Sequence, residues 1–239
     1  WAKSRNLAEV VGIAEPNKEI LESKLQAAAK NVKELSSLLT DDDILGKVKK
    51  YDDYKDMLDD IDVLHVCLPH DMHRDAIFHA LDKGKYVIVE KPLAIDSKEA
   101  SEILKILDKS GLTDKVSLIS QNRYNSEMDW LRERIKEFGP VEGVEFFVDW
   151  YREQSYYDSN GGWRGRNKSA FGGVLTNQAY HQLDLALMLL GYNGGNIKNL
   201  FKRENSIDKQ LHPNIEVVDK VHGLIELDNG FIRYYATTC

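Results

Sequence analysis

Residues 62–95 read DVLHVCLPHDMHRDAIFHALDKGKYVIVEKPLAI, and this stretch decides the fold. Two short apolar runs, at residues 62–68 and 86–89, flank a segment whose apolar side chains recur at helical spacing. Continuous apolar runs of this length predict strands that are buried on both faces of a sheet. Gly84 suits the position just past the end of the intervening helix. The order strand, helix, strand predicts a parallel pair joined by a crossover helix.

The same alternation continues on both sides of this unit. Residues 8–14 form a predicted strand, and residues 19–39 form a predicted helix. Asp96 and Glu99 resemble a capping box at the start of another helix, which leads to a strand at residues 116–120. We therefore predict an α/β fold with an N-terminal doubly wound parallel sheet of the Rossmann type.

A free-standing domain of that type opens with a strand and a Gly-rich turn, and the printed sequence has neither. It opens on residues that resemble the tail of the first helix, and it stops inside a strand at residues 237–239. We therefore expect the sheet to lack its first strand here, and both ends of the sequence look cut.

The pattern changes after Gln121. A helix is predicted at residues 126–138, and residues 144–151 alternate with the period of a half-buried strand. Near the end, Asp228-Asn229-Gly230 is a strong hairpin signal between two apolar runs, residues 217–227 and 231–237. These features predict a C-terminal α+β domain with a large, mostly antiparallel sheet.

The two patterns meet near residue 121, so the predicted domains are residues 1–121 and 122–239. Of 239 residues, 42% are hydrophobic and 30% charged, which allows a real core and a charged surface. The net charge is −7 and the basic residues are scattered, which argues against a nucleic-acid-binding protein. No leader pattern or membrane-length apolar run is visible, so we expect a cytoplasmic protein without a membrane partner. Two cysteines make no disulfide framework, and Cys67 is predicted to be a buried, reduced thiol.

The strand at residues 86–89 ends in Glu90-Lys91-Pro92. Open α/β sheets bind ligands outside the carboxyl ends of their strands, so Lys91 is delivered to the place where a cofactor lies. A partly buried lysine has its pKa lowered by desolvation, which suits it to pass protons near neutral pH. The alternative is a surface lysine in a turn.

A second cluster lies in GGVLTNQAYHQLDLALMLLG, residues 172–191. Asn177, His181 and Asp184 stand at helical spacing, which would place them on one face of an otherwise apolar helix. A polar stripe on a buried helix costs free energy unless it faces a ligand or a satisfied network. Gly172 and Gly173 would allow the start of the helix to approach a ligand closely. The alternative is a core histidine bonded to the backbone.

Three further sites are weaker candidates. His73 begins a helix after a buried strand, where phosphate groups are favoured, although a capping role for Asp71 is the alternative. Glu15 ends a predicted strand at the position of the carboxylate that bonds adenosine ribose in dinucleotide folds, or it is an ordinary turn carboxylate. A third set of aromatic and guanidinium side chains would either stack on a sugar or anchor a loop on the core. It comprises Tyr156, Tyr157, Trp163 and Arg164. No spacing supports a metal site.

The order DVLHVCLPHDMH, VIVEKPLAI, QNRYN and GGVLTNQAYHQLD resembles the Gfo/Idh/MocA oxidoreductases, which include glucose–fructose oxidoreductase and inositol dehydrogenase. The likeness runs from about residue 8 to the last residue. Within the family, QSYYDSNGGWRG is most similar to members related to UDP-N-acetylhexosaminuronate dehydrogenases. The resemblance implies a nicotinamide cofactor across the first domain and a small-molecule sugar or nucleotide-sugar substrate on the sheet of the second. It also implies a homodimer or homotetramer formed through that sheet.

By the same resemblance, Lys91 and His181 are the catalytic pair that moves the substrate hydroxyl proton. Asn177 stands where many members carry aspartate, and since an amide is no base it is expected to orient the sugar. Glu15 favours NAD over NADP. The remaining implied substrate-binding residues are Arg123, Tyr157 and Asp184. The remaining implied cofactor-binding residues are Leu68, Pro69, His70, His73, Glu90, Pro92, Gln121, Trp163 and Arg164.

Three functions fit these residues. The first is an NAD(P)-dependent dehydrogenase acting on a CH–OH group of a sugar, a sugar derivative or a cyclic polyol. The second is a redox-assisted NAD-dependent glycosidase on the same fold, which recycles its bound cofactor. The third is a non-catalytic dinucleotide-binding sensor. Such a protein could lose Lys91 or His181 freely, and because both are present this function ranks last.

Overall fold

The computed structural model describes residues 8–35, 48–170, 172–192 and 197–239. Backbone contacts divide the described chain into two compact units. The first contains the residues up to His65 together with Ala76–Ile88, and the second contains Val66–Asp75 and the residues from Val89 onward. The predicted division near residue 121 stays a prediction, because the contact boundary follows packing and passes through strands and a helix.

In the first unit, strand β1 (Gly12–Ala14) pairs in parallel with β2 (Lys49–Tyr51). Helix α1 (Lys18–Leu35) follows β1, and α2 (Tyr54–Met57) follows β2. Strand β1 is shorter than the strand predicted at residues 8–14. Residues 36–39 of the predicted helix lie outside the described residues.

The stretch at residues 62–95 forms the predicted strand–helix–strand unit. It consists of β3 (Val63–Val66), α3 (His73–Asp82) and β4 (Tyr86–Val89). The Tyr86 N–H donates to the Asp62 carbonyl at 3.0 Å, and the Glu90 N–H donates to the Val66 carbonyl at 3.0 Å. The two bonds keep the same offset along the chain, so the strands are parallel.

Burial alternates along these strands, so the prediction that both faces are buried is wrong for the described residues. Leu64, Val66, Val87 and Val89 are buried, whereas alternate positions on the opposite face are open to solvent. Tyr86 is 53% exposed. Cys67 falls on the exposed face as well, which corrects the prediction of a buried thiol. The cause is the period of two along a strand, since the described chain packs against one face of this sheet.

Helix α4 (Ser97–Ser110) is capped as predicted. The Asp96 carboxylate accepts the Glu99 N–H at 2.8 Å, and the Glu99 carboxylate accepts the Ile95 N–H at 3.0 Å. Gly111 ends the helix at φ 65°, in the left-handed region that favours glycine. Strand β5 (Val116–Leu118) follows and completes a sheet of order β3-β4-β5.

The second unit continues with α5 (Ser126–Phe138) and β6 (Gly143–Asp149). Four short helices follow. They are α6 (Gln154–Asp158), α7 (Asn167–Ala170), α8 (Gly173–Asn177) and α9 (Tyr180–Leu189). Among the helices described, none combines the length and the apolar character needed to cross a lipid bilayer.

A four-stranded sheet closes the chain. Its later strands are β7 (Ile197–Ser206), β8 (Lys220–Leu227) and β9 (Gly230–Thr237), and the order is β6-β9-β8-β7. The β7–β8 and β8–β9 pairs are antiparallel and the β6–β9 pair is parallel. The predicted hairpin is confirmed, with Leu227 opposite Gly230 across a two-residue turn. The strand before it starts at Lys220, three residues later than predicted.

One face of this sheet packs against α9. Phe146, Ile232 and Tyr234 from the strands share a core with Ala186 and Leu190. In the hairpin turn, the Asn229 side-chain amide donates to the Leu190 carbonyl, so the turn is bonded to the C-terminal end of α9. On the other face, Phe147 is 72% exposed.

Gly173, the first residue of α8, shows why this helix begins with a glycine. It adopts φ 56°, and a Cβ there would lie 2.1 Å from the Val218 carbonyl oxygen. The Val174 N–H donates to that same carbonyl at 2.8 Å. The close neighbour is therefore the protein's own backbone, which corrects the expectation that these glycines make room for a ligand.

We expect Gly173→Ala to destabilise the protein by roughly 3 kcal/mol or more, because it adds a left-handed strain and a backbone clash. Gly191→Ala is the matched control, since Gly191 also has a positive φ of 65° but no neighbour within 4 Å of the added Cβ. That control should cost only about 1 kcal/mol. Urea denaturation of both variants measures the difference, and equal losses would contradict the packing explanation.

Candidate active site

Lys91 lies two residues beyond the end of β4 and is half-buried. Its Nζ donates to the Asn177 backbone carbonyl at 2.6 Å and lies 3.4 Å from the Asn177 side-chain oxygen. Burial lowers the pKa of the Lys91 amine, and the nearby Arg164 lowers it further, while Glu90 opposes the shift. The amine therefore loses its proton more readily than a surface lysine.

The expectation that Asn177, His181 and Asp184 share one helix is wrong. Helix α8 ends at Asn177, and α9 begins three residues later, at Tyr180. The Val174 carbonyl accepts both the Gln178 N–H at 3.0 Å and the Ala179 N–H at 2.9 Å, which closes the first helix with a wide turn. Such a terminus frees carbonyls that a continuous helix would occupy.

The break has a direct consequence for Lys91. In an unbroken helix, the Asn177 carbonyl would accept the N–H of His181, four residues on. Here it accepts the ammonium of Lys91. The Gln178 side chain, which is buried at the break, donates to the Tyr156 hydroxyl at 2.7 Å.

His181 stands in the first turn of α9 and is partly buried. The Gln121 side-chain amide lies 3.2 Å from its Nε2, whereas its buried Nδ1 has no hydrogen-bond partner in the described part of the chain. Burial and then Lys91 lower the pKa of the imidazole, against smaller opposing effects of Asp184 and Glu90. Lys91 therefore influences the protonation of His181.

Arg123 and Asp184 form a two-pronged ion pair. The Nε and Nη2 atoms of Arg123 donate to the two Asp184 oxygens at 2.7 and 2.6 Å. The Asp184 side chain is 13% exposed, and its hydrogen bonds raise the pKa of the arginine. The structure thus brings these two predicted substrate-binding residues together, each as the other's partner.

His70 and His73 are both buried after β3. The His70 ring meets the edge of Trp163 at 4.9 Å, and burial lowers the pKa of His70 to about 3. Its buried Nδ1 has no hydrogen-bond partner among the described residues. The His73 ring is fully enclosed, with its nitrogens on the carbonyl oxygens of Pro92 and Leu68. Neither nitrogen of His73 is left for a ligand.

The segment that carries Tyr156, Tyr157, Trp163 and Arg164 is called the aromatic loop below. It is anchored on the core, as the alternative to sugar stacking predicts. Tyr157 is 4% exposed, and its hydroxyl bonds to the Thr238 hydroxyl at 2.7 Å. Burial raises the pKa of Tyr157 to about 12. The Arg164 guanidinium lies over Trp163 at 4.7 Å and over Tyr156 at 5.1 Å. Tyr157 therefore belongs to the packing beneath the loop and is left out of the site proposed below.

The other predicted cofactor residues take these positions. Pro69 precedes the short 3-10 turn His70–Met72, and Glu90 is partly buried beside Lys91. Glu15 directly follows β1 in the first unit, where one carboxylate oxygen accepts the Asn17 N–H at 3.1 Å. Its place at the end of a strand is the predicted one.

Sequence reasoning missed a buried pair in the second unit. His212 and Asp219 are both fully buried, with Nδ1 of the imidazole 2.7 Å from the carboxylate. The other ring nitrogen lies 2.7 Å from the Arg152 carbonyl. The Cys239 sulfur lies within 4.8 Å of ligand atoms of both residues, although both imidazole nitrogens already have partners. The loop that holds them has no periodicity, so no local pattern could have identified the pair.

Two sequence profiles match the chain. One, described as an oxidoreductase family with an NAD-binding Rossmann fold, matches residues 1–118. The other, described as the GFO/IDH/MocA C-terminal domain, matches residues 130–239.

Individual relatives cover most of this chain. Over 187 residues it is 28% identical to the uncharacterized protein YMR315W of Saccharomyces cerevisiae, covering 76% of this chain and 49% of that protein. Over 186 residues it is 25% identical to the inositol 2-dehydrogenase of Salmonella typhimurium, covering 74% of this chain and 51% of that enzyme. The chain therefore spans about half the length of these curated relatives.

A solved structure extends the likeness to almost every residue. The WlbA dehydrogenase from Bordetella pertussis, in complex with NADH and UDP-GlcNAcA, is 25% identical with a TM-score of 0.75. The match covers 99% of this chain and 61% of that one. Because the two profiles take in both halves of the sequence and the fold agrees throughout, this chain belongs to the Gfo/Idh/MocA family of oxidoreductases.

Proposed function

We propose that this chain belongs to an NAD-dependent dehydrogenase that acts on a hydroxyl-bearing carbon of a sugar, a sugar derivative or a cyclic polyol. The observation that carries the proposal is the half-buried Lys91 amine, held at 2.6 Å by the carbonyl at the end of α8. Sequence relatives of this chain include an inositol 2-dehydrogenase and a levoglucosan dehydrogenase.

Lys91 is the group that takes the proton from the substrate hydroxyl. Its lowered pKa makes the uncharged amine easier to reach than in a surface lysine, and an uncharged amine is the form that accepts a proton. Its bond to the Asn177 carbonyl fixes the direction of the amine. The side-chain oxygen of Asn177 is then available to orient a sugar hydroxyl.

His181 is the second proton carrier. Its pKa is lowered, so the ring is neutral at pH 7 and able to receive a proton that Lys91 passes on. The Gln121 amide at 3.2 Å limits rotation of the ring. The Arg123–Asp184 pair stabilises the next turn of the same helix, since Asp184 lies three residues after His181.

The residues of this chain fit a nicotinamide dinucleotide. Glu15 has one carboxylate oxygen bonded to Asn17, which leaves the other for the adenosine ribose hydroxyls. The unpartnered buried Nδ1 of His70 marks a polar position after β3 where a ligand group would complete the bonding. When bound, the nicotinamide ring supplies the acceptor for a hydride. We propose contacts to it from the backbone and side chains at the ends of β3, β4 and β5 and from the aromatic loop, at Leu68, Pro69, His70, Glu90, Lys91, Pro92, Gln121, Trp163 and Arg164.

A nucleotide sugar is the proposed substrate within this class, because the solved relative with the same fold binds UDP-GlcNAcA. The exposed face of the C-terminal sheet supports a homodimer or homotetramer, since Phe147 and Phe201 are each more than half exposed there. Association through that face would remove these side chains from water. The cytoplasmic location stays a prediction.

We expect Lys91→Ala in the full-length protein to lower turnover by about 10²- to 10⁴-fold, the usual contribution of a general acid or base. His181→Asn should lower it as well, whereas Lys98→Ala, which changes an exposed lysine at the start of α4, should not. A panel of polyols and nucleotide sugars, followed by NADH absorbance, measures this. Near-normal turnover of Lys91→Ala would overturn the assignment, and product release without NADH would favour the glycosidase.

The lowered pKa of Lys91 also predicts a pH-dependent stability. Above its ordinary pKa of 10.5 the amine is neutral in folded and unfolded chains alike. As pH falls below 10.5, the unfolded chain takes up the proton first, so the wild type loses stability until the pH reaches the lowered pKa of the folded state. The unfolding free energy of Lys91→Met minus that of the wild type should therefore shrink as pH rises from 7 to 10.5. A difference that is constant with pH would refute the shift.

Glu15 supplies a test of cofactor choice. A carboxylate repels the phosphate on the NADP ribose, so Glu15→Gln should lower the preference for NAD over NADP by about tenfold or more. The ratio of kcat/KM for the two cofactors measures this. Glu9→Gln removes an exposed carboxylate nearby in sequence and should leave the ratio unchanged. An unchanged ratio in the Glu15 variant would exclude this role.

A further inference from the structure

We infer that His73 is a positioning residue that holds the Lys91 backbone in place by binding the carbonyl of Pro92. The inference rests on the proposed function, in which Lys91 is the proton acceptor. It differs from the expectation that His73 contacts the cofactor, because the ring turns inward and is 0% exposed.

The geometry links two loops through one ring. Nδ1 of His73 lies 2.8 Å from the carbonyl oxygen of Pro92, and Nε2 lies 2.9 Å from that of Leu68. Leu68 follows β3, and Pro92 follows β4. The ring therefore links the segments after the carboxyl ends of β3 and β4, beyond the last backbone hydrogen bonds between the two strands.

Pro92 makes this support necessary. The bond from the Glu90 N–H to the Val66 carbonyl, at 3.0 Å, holds the chain ahead of Lys91. Proline has no N–H, so the residue after Lys91 cannot continue the ladder as a donor. Its carbonyl is the group that remains, and His73 binds it. Lys91 is thus fixed by β3 on one side and by His73 on the other.

The anchor itself is rigid. His73 begins α3, and its backbone N–H donates to the His70 carbonyl. The ring lies 5.8 Å from the ring of His70, centroid to centroid, and is closed off from water. A buried side chain with two directional bonds has few alternative rotamers, so it transmits its own position to the Pro92 carbonyl.

Two substitutions separate the two bonds. An asparagine amide reaches about as far as Nδ1, and a glutamine amide about as far as Nε2. His73→Asn should therefore retain the bond to Pro92, and His73→Gln only the bond to Leu68. Each variant buries one amide, so loss of folding stability alone does not distinguish them. We expect kcat to fall on the order of 10²-fold in His73→Gln, as a misplacement of about 1 Å can cause, and much less in His73→Asn.

Lys91 can also be examined without turnover. Trace acetylation with acetic anhydride across a pH series, followed by peptide mass spectrometry of the full-length protein, gives the pH midpoint for each lysine. In the wild type, the Lys91 midpoint should lie below the ordinary lysine pKa of 10.5. In His73→Gln the Lys91 midpoint should rise toward that ordinary value, and in His73→Asn it should stay close to the wild-type value.

His212→Asn and His212→Gln are the matched controls, because His212 is equally buried and also uses both ring nitrogens. They should change thermal stability without moving the Lys91 midpoint. Equal behaviour of the two His73 variants, or a similar shift in the His212 variants, would overturn the inference. A shift confined to His73→Gln in a protein that oxidises no sugar would uphold the positioning role and refute the proposed function.

Discussion

The contact between the Lys91 amine and the Asn177 carbonyl is the constraint on which the rest of the site depends. A buried ammonium needs a strong acceptor, and a backbone carbonyl becomes available only where a helix stops. The interruption between α8 and α9 provides that carbonyl. Without the interruption, the Asn177 carbonyl would be bonded within the helix and could not accept the Lys91 ammonium. The contact that holds Lys91 near His181 would then be lost.

Three buried histidines show three ways to satisfy an imidazole inside a protein. His212 pairs with a carboxylate, His73 bridges two carbonyls, and His70 rests on an indole with one nitrogen unpartnered. Only the last arrangement leaves hydrogen-bonding capacity unused. Unused hydrogen-bonding capacity beside a half-buried lysine marks a place where polar groups of a ligand are expected to bind.

The strand–helix–strand unit, the capped helix α4 and the final hairpin could all be predicted from the sequence, because each is encoded by local spacing. Lys91 could be singled out for the same reason, since a residue at the end of a buried strand has a known place in the fold. The break at Gln178 could not, because what ends α8 includes a bond to Tyr156, 22 residues earlier. The exposed position of Cys67 and the enclosure of Tyr157 likewise depend on which surfaces pack together, and no local pattern records that.

The bond from Asn229 to the end of α9 gives the hairpin turn an influence beyond the sheet. That turn lies at the surface, where loops usually tolerate insertions and tags. Here it donates a hydrogen bond to the Leu190 carbonyl at the end of the helix that carries His181. Lengthening it would release one end of the helix and let it rotate on its axis. An insertion or tag at this turn is therefore expected to disturb the position of the His181 ring, although the turn is bonded to a residue 39 positions earlier in the sequence.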